Sequence, residues 1–434
     1  MEGSILARRD CLTLDNGMRL RLLSALEVLQ ARREAGELAQ EDRERALCSN
    51  ACLLARALEQ ECVYAVFRPH TGRLTPQAED VLTRQGFVAK EGTAPILEVD
   101  MHTPTVLIQN LETTIQEPLC QNHRLLAAIQ RGHRRLQTAL TQLYPRFLVL
   151  TLSAGVIHQR LLEMITAYNE VPAVPTEPRK LGRNMCVPYG KMLRGKIVPN
   201  TVTKTIHTDR VYSPDLSQSS MEPFPHYPPI QSQIRTIKSF DRPVILVDDL
   251  LHSGNRIRAL DPLFRQEGVV IDRVLVGLLS GRGRDLMAAK GRSVDSVYFI
   301  PNMRSWFVES TMYPFIGGDT VGGAEPSVPG LTPSVNLILP YAFPRFYREC
   351  GREAVFRFSC ACLENARDIL LALETTFRER YARNLTLSRL SEAVILPLSP
   401  DKGSCMHYDP SLPASVFLQN DLEMLLRMRN VLQS

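Results

Sequence analysis

The sequence predicts an α/β protein whose main unit is built on a parallel sheet, with a smaller N-terminal α/β part and a helical C-terminal extension. Three observations carry this. From residue 147 onward, apolar strand patterns alternate with helical ones, the order that generates parallel sheets. The run Val244-Ile245-Leu246-Val247 is uninterruptedly apolar, as a strand buried on both faces requires. Leu and Ala at helical spacing dominate residues 19 to 60 and 353 to 385, outside the alternating region.

Composition bounds the rest. A chain of 434 residues exceeds what one core usually serves, so two or three domains are expected. We divide it at 1–118, 119–330 and 331–434. Hydrophobic residues at 44% and charged residues at 22% exclude a wholly disordered chain. A net charge of +5 is too small for this length to imply nucleic-acid or membrane binding. The start MEGSILARRD has no basic segment followed by an apolar run, and no stretch reaches the roughly 18 apolar residues of a membrane helix, so a cytoplasmic location is expected. Ten scattered cysteines read as free thiols. Cys48 and Cys52, and Cys360 and Cys362, lack a second pair at zinc-site spacing.

In chain order, LRLLSALEVLQARREA and EDRERALCSNACLLARALEQ predict two helices over 19 to 60, ECVYAVFRP a strand, TPQAEDVLTRQGF a helix stopped by Gly86, and ILEVDM and TPTVLIQ two strands. This segment resembles part of an acyl-CoA N-acyltransferase but lacks a Gly-rich pyrophosphate-binding turn. Its residues read as a packing or interaction domain. The helix NHRLLAAIQRGHRRLQTALTQLY follows. Strands are then expected at 147–152, 171–175, 244–248, 273–279 and 296–300, with helices at 157–168, 255–266 and 283–290. Residues 183–240 read as a long inserted loop, because the prolines and serines of YSPDLSQSSMEPFPHYPPIQSQ oppose regular structure.

The chemistry concentrates at Asp248-Asp249 and the loop His252-Ser253-Gly254-Asn255-Arg256. Two acids at the C-terminal end of a buried strand stand where open α/β sheets bind ligands. A loop that enters a helix offers backbone N–H groups to a phosphate. Acids for sugar hydroxyls beside a phosphate nest suit a phosphorylated sugar. From Pro178 to Thr208 there are seven basic residues and no acid, which suits a ligand with several phosphates.

PVILVDDLLHSGNR resembles the signature of type I phosphoribosyltransferases, over about residues 147 to 310. The resemblance implies a phosphoribosyltransferase-type fold and a phosphoribosyl pyrophosphate or nucleotide-like ligand, with Mg2+ as cofactor. Asp248 and Asp249 would hold the ribose hydroxyls, Asp249 or bound water would complete the magnesium shell, and His252 to Arg256 would surround the 5'-phosphate. Ser153-Ala154-Gly155 would form the pyrophosphate turn, Arg179 and Lys180 would contact pyrophosphate, and Pro301 to Phe307 would meet the acceptor, with Trp306 either stacking on it or belonging to a core cluster with its aromatic neighbours. His252 and Arg256 depart from the family's hydroxyl residues. His158 near a helix start reads as structural, and the glycines around Asp319 as turn residues.

The expected reaction is displacement of pyrophosphate from ribose C1 by an acceptor. A ligand-sensing protein without turnover is the second reading, and a nucleic-acid binder using the basic stretch the third. No membrane partner is expected; the acceptor and the oligomeric state are left open.

Overall fold

The computed structural model describes residues 96–433 except 145–146, 179, 191–192, 194–196, 225–226, 323–327, 344–349 and 401–407, preceded by three short strands. These are β1 (Cys11–Thr13), β2 (Arg19–Arg21) and β3 (Tyr64–Arg68). β1 and β2 pair antiparallel, so the helix expected from residue 19 is a strand at its start: Arg19-Leu20-Arg21 alternates polar and apolar, which suits period two. The remainder of both helices over 19 to 60, and TPQAEDVLTRQGF, lie outside the described residues.

The two strands expected at ILEVDM and TPTVLIQ are one, β4 (Ile96–Gln109), with a register shift between Asp100 and Thr105. It pairs in parallel with β3 and with β5 (Phe147–Ser153). Leu107 faces one core while Val106 and Ile108 face another, the alternation that sends successive side chains to opposite faces. Between β4 and β5 lies α1 (His123–Leu143), whose first turn is capped by the Asn122 side chain accepting from the Arg124 and Leu125 amides. α2 (Ala154–Tyr168) follows β5 directly.

The second sheet contains β6 (Met185–Pro188) and β7 (Val202–Thr203). A hairpin of β8 (Thr208–Tyr212) and β9 (Ser219–Pro223) and the helix α3 (Ile230–Lys238) lead to β10 (Val244–Leu251). Then come α4 (Asn255–Gln266), β11 (Ile271–Ser280), α5 (Gly281–Ala289) and β12 (Val294–Ile300). The spatial order is β12-β11-β10-β6-β7, all parallel. Counted along the chain this is 2-1-3-4-5, and it reverses between β6 and β10.

β10 is buried on both faces as its sequence requires. Val244 and Leu246 enter a core with α3, α4 and α5, whereas Ile245 and Val247 enter a core with α2 and the face of β4. Two expectations fail here. The 147–152 strand belongs to the β4 sheet rather than to the sheet of β10, and 171–175 is loop. The strand beside β10 is instead Met185-Cys186-Val187-Pro188, four fully buried residues. Residues 183–240 are therefore not one loop. The Pro- and Ser-rich part makes the β8–β9 hairpin, because Asp215, flanked by Ser213 and Ser217, closes a tight turn at its tip.

β13 (Ser305–Val308) returns to β4 and pairs with it in parallel. β14 (Asp319–Val321), β15 (Thr332–Val335) and, after α6 (Arg352–Tyr381), β16 (Leu398–Pro400) complete a third sheet ordered β16-β15-β14-β8-β9. α7 (Ala414–Gln433) ends the described chain. α6 packs on α1 and α7 in one core that also takes Leu107 and Phe307. Among the described residues no helix is long and apolar enough to cross a membrane.

Candidate ligand site at the ends of the parallel strands

The acid pair falls at the C-terminal end of β10, and Tyr189-Gly190 at that of β6, the two strands between which the order reverses. That reversal opens a crevice beyond the strand ends. Gly190 admits a close approach there: a Cβ would collide with Asp249 Oδ1 and lie 2.8 Å from Asp248 Oδ1, so a larger residue would displace the carboxylates. The backbone of one strand end thus lies against the carboxylates of the other.

Asp248 is 2% exposed. One oxygen accepts from the Asp249 amide at 2.8 Å and from Arg256 Nη1. Burial raises its pKa to about 6, opposed by Arg256 and assisted by the Asp249 charge. Burial disfavours the Arg256 cation, but Asp248 and Asp249 outweigh that and hold its pKa above the ordinary value. The Arg256 guanidinium also lies 5.9 Å from the Tyr189 ring centre. Burial, and next the Asp248 charge, push the Tyr189 phenol well above its usual range. Arg256 therefore binds the first acid in this structure, whereas the resemblance had assigned it to a phosphate.

His252, Ser253 and Gly254 connect β10 to α4, and Asn255 is the first helical residue. Gly254 has φ 70°, and a Cβ on it would collide with Leu286 Cδ2. Glycine turns left-handed here without strain and leaves room for the Leu286 side chain of α5. His252 meets Trp306 edge-on at 5.2 Å. Burial first and Arg282 second lower its pKa, favouring neutral imidazole. Beside it opens a cleft of about 500 Å³, lined among others by Gly281, Arg282, Arg284, Asn302 and Arg304. Trp306 itself is half-buried on β13.

Other expected site residues separate from this group. Ser153 caps α2, its Oγ accepting from the Val156 amide at 3.5 Å, with Ala154 and Gly155 in the first turn. Ile157, one turn on, packs where a Cβ on Gly277 would also meet the Asp249 carbonyl, each 2.6 Å away. The start of α2 thus faces the same sheet edge, but it follows a strand of the other sheet, and the turn after β6 is Tyr189-Gly190. Lys180 is exposed on the loop entering β6, two residues from Gly182, whose carbonyl accepts from Arg242 just before β10. It lies where the strands begin, opposite the acid pair. Arg179 lies outside the described residues, as do Lys191, Arg194 and Lys196 of the basic stretch.

Sequence reasoning missed a charged group near Arg256, from β8 and β14. Asp209, buried on β8, accepts from the Thr320 hydroxyl at 2.9 Å and adds its charge to the field on Arg256. Arg210 Nη2 reaches both Asp319 oxygens at 3.1 and 3.2 Å, and its guanidinium lies 4.8 Å from the Tyr212 ring centre. Parallel pairing of β8 with β14 brings these residues together across 109 positions. Only Tyr189-Gly190 left a legible signal, a glycine straight after an apolar run.

Among the described residues no three His, Cys, Asp or Glu side chains form a metal-holding group. No protein-family model and no curated protein matches this chain.

Proposed function

We propose that the chain binds a phosphoribosyl ligand, phosphoribosyl pyrophosphate or a nucleotide, at this sheet edge and transfers the phosphoribosyl group to an acceptor. The observation that carries this is the convergence of the acid pair, the Gly190 turn and the His252–Asn255 loop where the strand order reverses. In this reading Asp248 and Asp249 accept from ribose hydroxyls. The amides of Ser253, Gly254 and Asn255 at the start of α4 hold the 5'-phosphate, and the turn after β6 takes the pyrophosphate place that the sequence had given to Ser153-Ala154-Gly155. The acceptor enters the cleft between His252 and Pro301 to Arg304.

Magnesium fits as an ion carried in by the ligand. Such ions need one or two carboxylates besides phosphate oxygens, and the Asp248 and Asp249 carboxylates both lie close to the Gly190 backbone at the strand ends. Bound there, it would neutralise the leaving pyrophosphate. The protein's own part is positioning and the exclusion of water from a centre that develops oxocarbenium character.

The Arg256–Asp248 pair supports a second reading, a ligand-sensing protein without turnover. Calorimetry with phosphoribosyl pyrophosphate and Mg2+ tests the common part: wild type gives a saturable signal and Asp248→Asn with Asp249→Asn loses it. Unchanged binding in that double variant defeats the assignment. Pyrophosphate release with a panel of acceptors then separates transfer from sensing.

A further inference from the structure

Outside the candidate ligand site, one buried acid is held by a cation that titrates. Glu309 opens the turn Glu309–Met312 directly after β13 and is fully buried. His133 Nε2, on α1, lies 2.9 Å from its Oε2. Tyr313 donates its hydroxyl to the other carboxylate oxygen at 3.3 Å. Asn365 of α6 donates to that hydroxyl at 3.1 Å and to the Gly132 carbonyl at 3.0 Å. The two helices meet closely at Gly132, where a Cβ would lie 3.2 Å from Ile369 Cδ1. Three separate elements, α1, α6 and the turn after β13, therefore converge on one carboxylate. Ser310, next in that turn, is tied to the end of β4: Asn110 Nδ2 donates to its hydroxyl at 2.8 Å, and Asn110 Oδ1 accepts from its amide at 3.0 Å.

The surrounding charges leave His133 as the counter-ion among the described residues. Glu112, in the turn Leu111–Thr114, is a like charge. Tyr313 and Cys362 are kept neutral, by burial first and by the Glu309 charge second. Of the other cations on α1, Arg131 and Arg134 are exposed, and Arg135 reaches across to Asp368 at 2.6 Å and Glu364 at 4.0 Å on α6. The His133–Glu309 contact is not aligned as a hydrogen bond, so charge is what holds it. A guanidinium or ammonium group would neutralise the acid at every pH. An imidazole does so only while it is protonated, and histidines give up that proton within the physiological range.

We propose that His133 and Glu309 form a pH-sensitive latch: while the pair holds its proton it fastens the end of β13 to α1 and α6, and as pH rises the stranded carboxylate lets β13 and Trp306 loosen. The direction follows from the acid. Burial raises the Glu309 pKa, opposed by His133. Such a group's stabilising effect is complete below the unfolded pKa and is lost as pH rises through the folded one. On the acid side His133, 17% exposed, shares its charge with solvent, so the latch fails upward in pH. Removing the cation from a buried pair is the costly case, because the remaining charge has lost its hydration and its partner together.

Hydrogen exchange read by mass spectrometry at pH 7 and pH 9, corrected for the intrinsic pH dependence of exchange, tests this. Peptides over residues 305–313 and 128–140 are expected to lose about tenfold or more of their protection at pH 9, while β11 keeps its own. Trp306 is the only tryptophan, and acrylamide quenching of its emission should rise between the same two pH values. His252, edge-on to that ring, does not confound this, since burial and Arg282 lower its pKa and leave it neutral there. Glu309→Gln leaves no carboxylate to strand, and His133→Lys supplies a charge that persists; each should abolish the pH step. The lysine is placed at a partly exposed position, so the test survives if Glu309→Gln does not fold. No step in wild type, an equal loss of protection in β11, unchanged quenching, or a step of wild-type size in either variant overturns the proposal.

Discussion

Asp248 is a carboxylate whose proton affinity folding increases, and that has a measurable sign. Its pKa is raised to about 6 by burial, above an unfolded value of about 3.9. Between these values the folded chain holds more proton than the unfolded one, so this group's stabilising effect is complete below about pH 4 and is lost as pH rises through about 6. Melting curves of wild type and Asp248→Asn should differ in favour of wild type most at pH 4, with that advantage declining to a plateau above pH 6. A flat or rising difference would mean that Arg256 keeps the acid ionised throughout. Gly190→Ala tests the close approach: its Cβ would push both carboxylates, with an expected cost of about 1–3 kcal/mol in stability and more than tenfold in phosphoribosyl affinity by calorimetry. The acids were legible because they end an uninterrupted apolar run. The partner of Arg256 was not, because sequence does not say whether a long side chain eight positions on folds back to a carboxylate or reaches outward.

At the scale of elements, α4 and the chain beyond α5 are joined through one carboxylate. Asp261 is 1% exposed and takes Lys290 Nζ at 3.0 Å, Arg292 Nη2 at 2.5 Å and Arg265 Nη2 at 3.1 Å. Burial works against its charge, but hydrogen bonds from Arg292 and Lys290 prevail and hold its pKa below the ordinary value. Its contribution is present above the unfolded pKa and lost as pH falls. Asp261→Asn should cost about 3–5 kcal/mol in denaturant unfolding, while the folded fraction keeps its ligand affinity; a cost below 1 kcal/mol would show the cluster to be solvated. Helices such as α1, α4 and α6 were legible from periodicity and start signals. The β8–β9 hairpin was hidden by its prolines and serines, and β6 by its length: four residues between a basic loop and a glycine carry too little pattern. The wrong first strand, 147–152, had the right local character and the wrong sheet, since strand composition does not name a neighbour.

For the whole molecule, the cores cross the boundaries drawn at 118 and 330. Leu111 and Leu119, α1, Phe307 and the inner face of α6 share one core. Leu370 is fully buried in it. Leu370→Ala should cost about 2–5 kcal/mol, and a chain ending before Arg352 should lose the cooperative thermal transition of the full chain. A truncated chain that melts cooperatively and binds the same ligands would show the C-terminal helices to be an appendage. Helical spacing announced α6 but not its partner, because an amphipathic stripe states that a surface is covered and not by what.

The Arg256 guanidinium on Asp248 also bears on how fast a ligand arrives. In the proposed phosphoribosyl reading, a sugar hydroxyl would reach that oxygen only in molecules whose arginine has swung aside, so the apparent dissociation constant would be the intrinsic one divided by the open fraction. In stopped-flow mixing the observed rate should then level off at the swing rate as ligand concentration rises. Arg256→Ala should abolish the plateau and restore a linear dependence.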